Sequence, residues 1–387
     1  MATENASRAD SLGTKLRRAR EMLRMTQGVA AERLGLARTT LVAIEASKRS
    51  LSNAELRAFA ELYGMPESEL VNDDVAPVEL SVDFRSSAGS VLSDDEAQVA
   101  TLLNRLANST LQLESLLKQP APIVDLPTVT VTKTGSLERQ AEDAAMNLRS
   151  RLGIGLGPIQ NLAALLEFEM GVRVYERPLP SRISGGVAFD QRGGAFVLLN
   201  SRHPVYRRRV TCGHEVGHLL IRQLGLVVHF EKDTYQGREE RFCDLFGIAF
   251  LAPAPTVRRK AKELKDTFGI FSVRQLLMLA VFFGISIEAM TRRLEALDML
   301  PQGTYEGLRG QGIGLEHRRK VAEEMSVAEE GQPFTPRSLL LASVAYEREL
   351  LSEQQIASMF ELNLVDVRRA LNGRDADSQE VVLDLAE

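Results

Sequence analysis

The segment His214-Glu215-Val216-Gly217-His218 sets two imidazoles four residues apart, with a carboxylate beside the first. On a helix, His214 and His218 share one face a turn apart, so both rings can bind a single cation. Glu215 lies beside them and can take a proton from water held by that cation. A catalytic zinc site needs a third protein ligand as well as an open position. Downstream runs Glu239-Glu240-Arg241-Phe242-Cys243-Asp244-Leu245-Phe246. There Phe242, Leu245, Phe246 and Ala249 recur at helical spacing, which predicts an amphipathic helix. Glu240 and Asp244, four apart, then share a face. This spacing predicts Glu240 as third ligand and Asp244 as acceptor of the remaining N–H of a ligand histidine, fixing its tautomer. His229 is the rival third ligand, in a segment from Leu226 to Phe230 that reads as strand or loop. Zn2+ is the expected ion, with Mn2+ as the alternative. Tyr175, Tyr206 and Tyr235 are unranked candidates for an oxyanion donor.

These residues need a scaffold, and the sequence around them suggests one. Helical periodicity covers Leu137 to Leu152 and Pro158 to Met170, followed by a strand from Val172 to Arg177. Gly185 to Asp190 and Ala195 to Asn200 read as strands about a Gln191-Arg192-Gly193-Gly194 turn, a hairpin. From there to about Leu371 the pattern is mainly helical. Gly153-Ile154-Gly155-Leu156-Gly157 has glycine spacing like a dinucleotide loop, but no strand precedes it, so it reads as a helix–helix turn. Cys212 and Cys243 are the only cysteines. Two cysteines give no disulfide framework and suit a reducing cytoplasm, and burial is the expected role of both.

The chain has 387 residues, 44% apolar and 26% charged, which excludes wholesale disorder and allows two or three domains. No run of eighteen or more apolar residues occurs, so no transmembrane helix is expected. The first residues lack the basic and apolar regions of a signal peptide. Charge is uneven: the first fifty residues carry ten basic and five acidic side chains, within a chain of net charge −5. That asymmetry marks a basic module at the N-terminus. Leu16, Ala19, Met22 and Leu23 pattern its first helix. Thr26 caps a second, Gln27 to Leu34, ended by Gly35. A third spans about Arg38 to Ser47, a fourth Asn53 to Tyr63, and Pro66 opens a fifth.

Residues 75–134 read as a linker with one helix from about Ser93 to Leu117 between a polar stretch and Pro-rich ends. Its stripe of Val99, Leu102, Leu103, Leu106, Leu113 and Leu117 suits an interdomain strut, and it could alternatively pair two copies as a homodimer. The run from Leu351 to Leu371 has helix-turn-helix rhythm beside acidic sequence, which favours packing or partner binding over DNA reading. The last residues, Asp375 to Glu387, are expected to fray. The expected division is 1–74, 75–134, 135–300 and 301–387, the last a helical region. The fold class is mostly α with a small β-sheet.

With the histidine helix, Glu240 and Asp244 in place, the segment resembles the gluzincin pattern and, with Phe246 to Pro253, the ImmA/IrrE family of metallopeptidases. That family reads H-E-x-G-H, then E-x-x-A-N-x-F-A-x-x-L-L-x-P. Here Cys243 and Asp244 replace Ala-Asn, and Gly247 and Phe250 also differ, while Phe246, Leu251 and Pro253 match. Asp for Asn keeps a polar group. The resemblance spans about Leu137 to Leu300 and implies a zincin-like α+β peptidase fold. It implies too that the hairpin near Gly185 to Asn200 presents an edge strand to an extended substrate.

The N-terminal module resembles the Xre/Cro helix-turn-helix family over about Leu12 to Leu70, through Gln27, Ala31, Gly35, Ile44, Glu45 and Lys48-Arg49. By that resemblance the module is a five-helix unit that binds a double-stranded DNA operator. Arg38, Thr39 and Thr40 then open the recognition helix and reach base edges, while Gln27, Lys48 and Arg49 hold phosphates.

Together these readings give a cytoplasmic DNA-binding regulator joined to a zinc endopeptidase. The resemblance implies a protein substrate that is a repressor or antitoxin-like regulator, cleaved to switch gene expression under stress. The cleaved chain could also be the linker near Val75 to Ser90. Two other readings differ in kind: a repressor whose metal site only senses or stabilises, and a protease whose N-terminal module binds a protein.

Overall fold

The computed structural model describes residues 11–22, 25–63, 94–121, 126–190, 194–221, 225–230, 237–327 and 331–372. The helix expected from Pro66, the polar linker, the Gln191–Gly193 turn, Tyr235 and the acidic C-terminal residues lie outside them.

Among the described residues, four helices build the N-terminal unit: α1 (Leu12–Met22), α2 (Gln27–Arg33), α3 (Arg38–Glu45) and α4 (Asn53–Tyr63). Thr26 caps α2 as its sequence predicts, its hydroxyl accepting from the Val29 amide. Leu16, Ala30, Leu41, Ile44, Phe59 and Tyr63 form a core of their own. Glu45 is buried in it. Its carboxylate takes the Arg20 guanidinium at 2.6 and 3.0 Å and the Gln27 amide at 3.0 Å. A buried charge is tolerated only when paired in this way.

Among the described residues, the second unit is built on four strands: β1 (Arg173–Arg177), β2 (Ile183–Asp190), β3 (Gly194–Asn200) and β4 (Gly225–Phe230). Their order is β1-β3-β2-β4, with β1 parallel to β3 and the other pairs antiparallel. The fold is thus mostly α with one small mixed sheet. Both strands of the expected hairpin are interior, which corrects the expectation that it presents an edge. The segment from Leu226 to Phe230, left open between strand and loop, is the strand that covers β2.

Both faces of the sheet are buried, and β3 shows it with a period of two. Ala195, Val197 and Leu199 enter the main core, and Phe196 and Leu198 enter a second core on the other face. That second face is covered by α5 (Asp94–Leu117) through Val99, Ala100, Leu103, Leu106 and Ala107. Further along, Leu113 and Leu117 join the C-terminal helices. The stripe expected in a strut or a dimer seam is therefore buried within the chain. Its spacing announced an apolar face, but only the sheet decided what covers it.

On the main-core face lie α6 (Leu137–Arg151), α8 (Val205–Leu220) and α9 (Arg238–Leu251). The helix expected from Pro158 to Met170 is one short turn, α7 (Leu162–Ala164), running into a π-helical turn, Leu165–Glu169. Two effects shorten it. The carbonyls of Ile159 and Gln160 turn outward to the Arg209 guanidinium, and Asn161 then caps the late start. The Gly153–Gly157 segment is the expected turn, folded about the buried Arg149 guanidinium, which bonds the carbonyls of Gly155 and Gly157.

The chain continues through α10 (Ala254–Phe268), α11 (Val273–Phe283), α12 (Ile287–Ala296), α13 (Thr304–Gly310) and α14 (Leu315–Glu324). A last group, α15 (Pro336–Glu347), α16 (Glu353–Met359) and α17 (Leu364–Asn372), packs on the end of α5. It also closes the edge of β1. The Thr335 hydroxyl lies 3.1 Å from the Val174 carbonyl, and Glu167 accepts from the Val174 amide.

Candidate metal centre and nucleic-acid interface

Helices α8 and α9 cross with almost nothing between them. A Cβ on Gly247 would stand 2.7 Å from the His214 amide nitrogen, and one on Gly217 would stand 2.9 Å from the Cys243 Cα. Gly213 meets Gly247 in the same way, at 3.1 Å. Two rows of small residues at four-residue spacing, Gly213 and Gly217 against Cys243 and Gly247, thus bring the backbones into contact. On the other side of α9, Phe242, Phe246 and Phe250 stack at 6.0 and 5.6 Å, fully buried. This row anchors the helix in the main core.

That crossing sets the polar faces of both helices together. The Nε2 atoms of His214 and His218 lie 2.9 Å apart. Glu240 Oε2 stands 3.3 Å from the His218 Nε2 and 3.6 Å from that of His214. His214 Nδ1 meets Asp244 Oδ1 at 2.8 Å, so with the proton on Nδ1 the Nε2 lone pair of His214 points to the other donors. Glu215 is fully buried in the same turn. Burial first, then the Glu240 and Glu215 carboxylates, push the Cys243 thiol far above its ordinary value. Cys212 is held up the same way by burial. Neither is poised as a thiolate.

The donor set fits a divalent cation. Ligands about 2.0–2.1 Å from a tetrahedral ion stand about 3.3–3.4 Å apart, and the three separations here bracket that value. Two imidazoles and one carboxylate are the donors expected for zinc, and they also suit manganese. His214, His218 and Glu240 are thus brought together with Asp244 behind His214, as their spacing predicts. His229 lies on β4, paired with Gly185. Tyr175 does not reach the site, because its hydroxyl lies behind the sheet, 2.9 Å from the Thr110 hydroxyl and 3.2 Å from the Leu106 carbonyl. The Tyr206 ring carries the Arg318 guanidinium, 4.2 Å from its centroid.

In the N-terminal unit, α3 presents Arg38 and Thr39 to solvent and Thr40 in part, all in its first turn. Lys48 and Arg49 are exposed just beyond it, and Arg49 bonds Glu55 at 2.9 Å. Gln27, half-buried at the start of α2, donates its amide to buried Glu45 at 3.0 Å. Val42, 40% exposed in the middle of α3, escaped the sequence reading. It lies three residues beyond Thr39 and is the kind of side chain that meets a thymine methyl. A second pair, α11 and α12, is bent by 103° about Gly284 and has the shape of a helix-turn-helix. There Ile287, Ala289, Met290, Thr291, Arg293 and Leu294 are buried, and the exposed face is Glu288, Arg292 and Ala296, with Arg292 and Glu288 paired to each other at 3.2 Å.

Comparison with known families finds matches over both segments. Residues 168–295 match the peptidase family described as the IrrE N-terminal-like domain, and residues 11–71 match a helix-turn-helix domain. The chain joins a helix-turn-helix domain to an IrrE-like domain. The IrrE-like match runs from the π-helical turn through the sheet and the metal-site helices to α12. No curated protein sequence matches the chain. Among solved structures, Bacillus thuringiensis PlcR in complex with the peptide PapR7 and DNA aligns over 95% of this chain and 96% of its own. The identity is 8% and the TM-score 0.16. ComR from Streptococcus suis aligns over 94% and 93%, with 11% identity and a TM-score of 0.15. At such scores the assignment rests on the two family matches alone. Among the described residues, no single helix is long and apolar enough to cross a membrane.

Proposed function

We propose that this chain is a DNA-binding regulator whose IrrE-like domain is a zinc-dependent endopeptidase acting on a regulatory protein of the repressor or antitoxin type. The observation that carries the reading is the convergence of the His214, His218 and Glu240 donors, with Asp244 fixing the tautomer of His214. A cation held by these three residues supplies Lewis acidity, polarising a peptide carbonyl and making water acidic enough to lose a proton near neutrality.

The residues of the chain do the rest. Glu215 takes the proton of the attacking water at its carboxylate and delivers it to the leaving amide nitrogen. Asp244 keeps the His214 ring in one orientation. The walls formed by α8 and α9 are apolar behind the donors, which strengthens every charge interaction within the site. An extended substrate needs a strand edge for main-chain pairing. Glu167 and Thr335 occupy the β1 edge at Val174, so β4 is the strand favoured for that role. The exposed first turn of α3 enters the major groove, with Arg38, Thr39 and Thr40 at base edges and Lys48 and Arg49 at phosphates.

The test compares newly formed protein N-termini in cells that carry the intact chain or Glu215→Gln, with and without DNA damage. A terminus that depends on Glu215 is the expected result, and it names the substrate. If no terminus differs while both proteins still bind metal and DNA, the endopeptidase reading fails, and a repressor with a sensing or stabilising metal takes its place.

A further inference from the structure

Helix α10 lies outside the metal site and the helix-turn-helix, yet it is the most concentrated basic segment in the IrrE-like part. Its sequence, APTVRRKAKELKDTF, holds five cations and two acids. The first fifty residues are +5 in a chain of −5, so the remainder is −10 and this helix is a local exception to it. One face is fixed: Thr256, Val257 and Ala261 are buried, and the Lys260 ammonium sits 5.4 Å from the Phe282 ring centroid. Arg259 and Lys260 both turn to Glu263, at 2.7 Å each. Arg258, Lys262 and Lys265 are different. They stand at i, i+4 and i+7 on one exposed stripe, which ends beside the exposed Asp266 one turn beyond Lys262.

We propose that the stripe Arg258, Lys262 and Lys265 is a second DNA contact, sequence-independent, which takes the phosphates of duplex flanking the site read by α3. Seven residues of helix advance about 10.5 Å, and one DNA strand advances about 3.4 Å per phosphate. Three cations in that length therefore face about three successive phosphates. Between Arg258 and Lys265 the stripe carries no apolar side chain, and Phe268, 48% exposed, lies one turn beyond it. A regularly charged polymer is the partner that uses three like charges in line. The helix-turn-helix in the same chain brings that polymer near. The inference rests on the DNA-binding reading above.

The test is the salt dependence of binding to a long, labelled, mixed-sequence duplex by the full chain and by the triple variant Arg258→Gln, Lys262→Gln, Lys265→Gln. All three positions are exposed, and a thermal melt checks that the variant folds. Each lost phosphate contact lowers the slope of log affinity against log salt by about 0.9. The variant is expected to lose roughly two to three units of slope while keeping the sequence preference of the intact chain. An unchanged slope in a variant that still binds overturns this inference and leaves the α3 reading standing. An intact chain that binds no duplex sinks both. Loss of binding to phosphatidylglycerol vesicles with an unchanged DNA slope likewise overturns it, and assigns the stripe to a lipid surface.

Discussion

His214 Nδ1 and Asp244 Oδ1 lie 2.8 Å apart, and this single contact decides which nitrogen of the ring is left for a cation. Asp244→Ala is expected to lower zinc affinity roughly 10–100-fold with little change in fold; competition with a chromophoric chelator measures it, and unchanged affinity would remove Asp244 from the site. The small residues beneath the site are as demanding. Gly247→Ala places a methyl 2.7 Å from the His214 amide nitrogen, where backbone rather than a flexible side chain must move. It is expected to cost roughly 1–3 kcal/mol and to weaken metal binding at the same time. Cys243→Ala stays small at the crossing and should keep the metal affinity. Thermal unfolding with and without zinc separates the two variants. Retained affinity in Gly247→Ala would mean that the helices can part without moving the donors.

Among the elements, the π-helical turn at Leu165–Glu169 does the most with the fewest residues. It places Glu167 where its carboxylate accepts from the Thr335 hydroxyl and from the Arg337 backbone amide, joining β1 to the start of α15. Glu114 of α5 does the same nearby, pairing with Arg173 at 2.6 Å and with Arg337 at 2.7 Å. Burial raises the Glu167 carboxyl from its ordinary value of 4.5 to about 7, against hydrogen bonds that lower it. A folded-state value above the unfolded one stabilises the protein fully below the unfolded value, and that stability is lost as pH rises through about 7. The intact chain should therefore lose up to roughly 3 kcal/mol from this group between about pH 4.5 and pH 7. Glu167→Gln should remove that part of the slope. Urea unfolding of both proteins at several pH values tests it, and parallel curves would show that Glu167 does not hold the proton.

At the scale of the whole molecule, the buried residues of the N-terminal unit form a cluster separate from those around the sheet. The His214, His218 and Glu240 donors lie in the second. Zinc at about a hundredfold excess over its dissociation constant is worth about 2.7 kcal/mol to the unit that holds it. Calorimetry should resolve two transitions, with zinc raising the one that includes the sheet and leaving the helix-turn-helix transition in place. A single transition that moves as a whole would show the two units to be thermodynamically one. The same clusters explain why the C-terminal helices are not an appendage. Leu113 and Leu117 of α5 share a core with Phe334, Leu341 and Phe360, and the Arg177 guanidinium of β1 donates to the Phe360 carbonyl at 2.6 Å.

The local chemistry was legible in the amino-acid sequence. Four-residue spacing put His214 beside His218 and Glu240 beside Asp244, and Thr26 with Gly35 bounded the second helix of the helix-turn-helix. These features depend on neighbours within one or two turns, where periodicity and capping govern. Long-range pairing decided the rest. Which apolar stripe meets which surface is not written in a period, so α5 read as a strut until the sheet was seen beneath it. Strand order escaped for the same reason: β2 and β3 announce a hairpin, but only β4, thirty-five residues beyond β2, turns β2 into an interior strand. Gly213, Gly217, Cys243 and Gly247 carried a signal in their spacing, yet small residues gain meaning only when a second helix lies against them. Glu45 and Glu167 look like surface acids in sequence. Tertiary packing buried them, and the partners that make that burial tolerable come from distant parts of the chain.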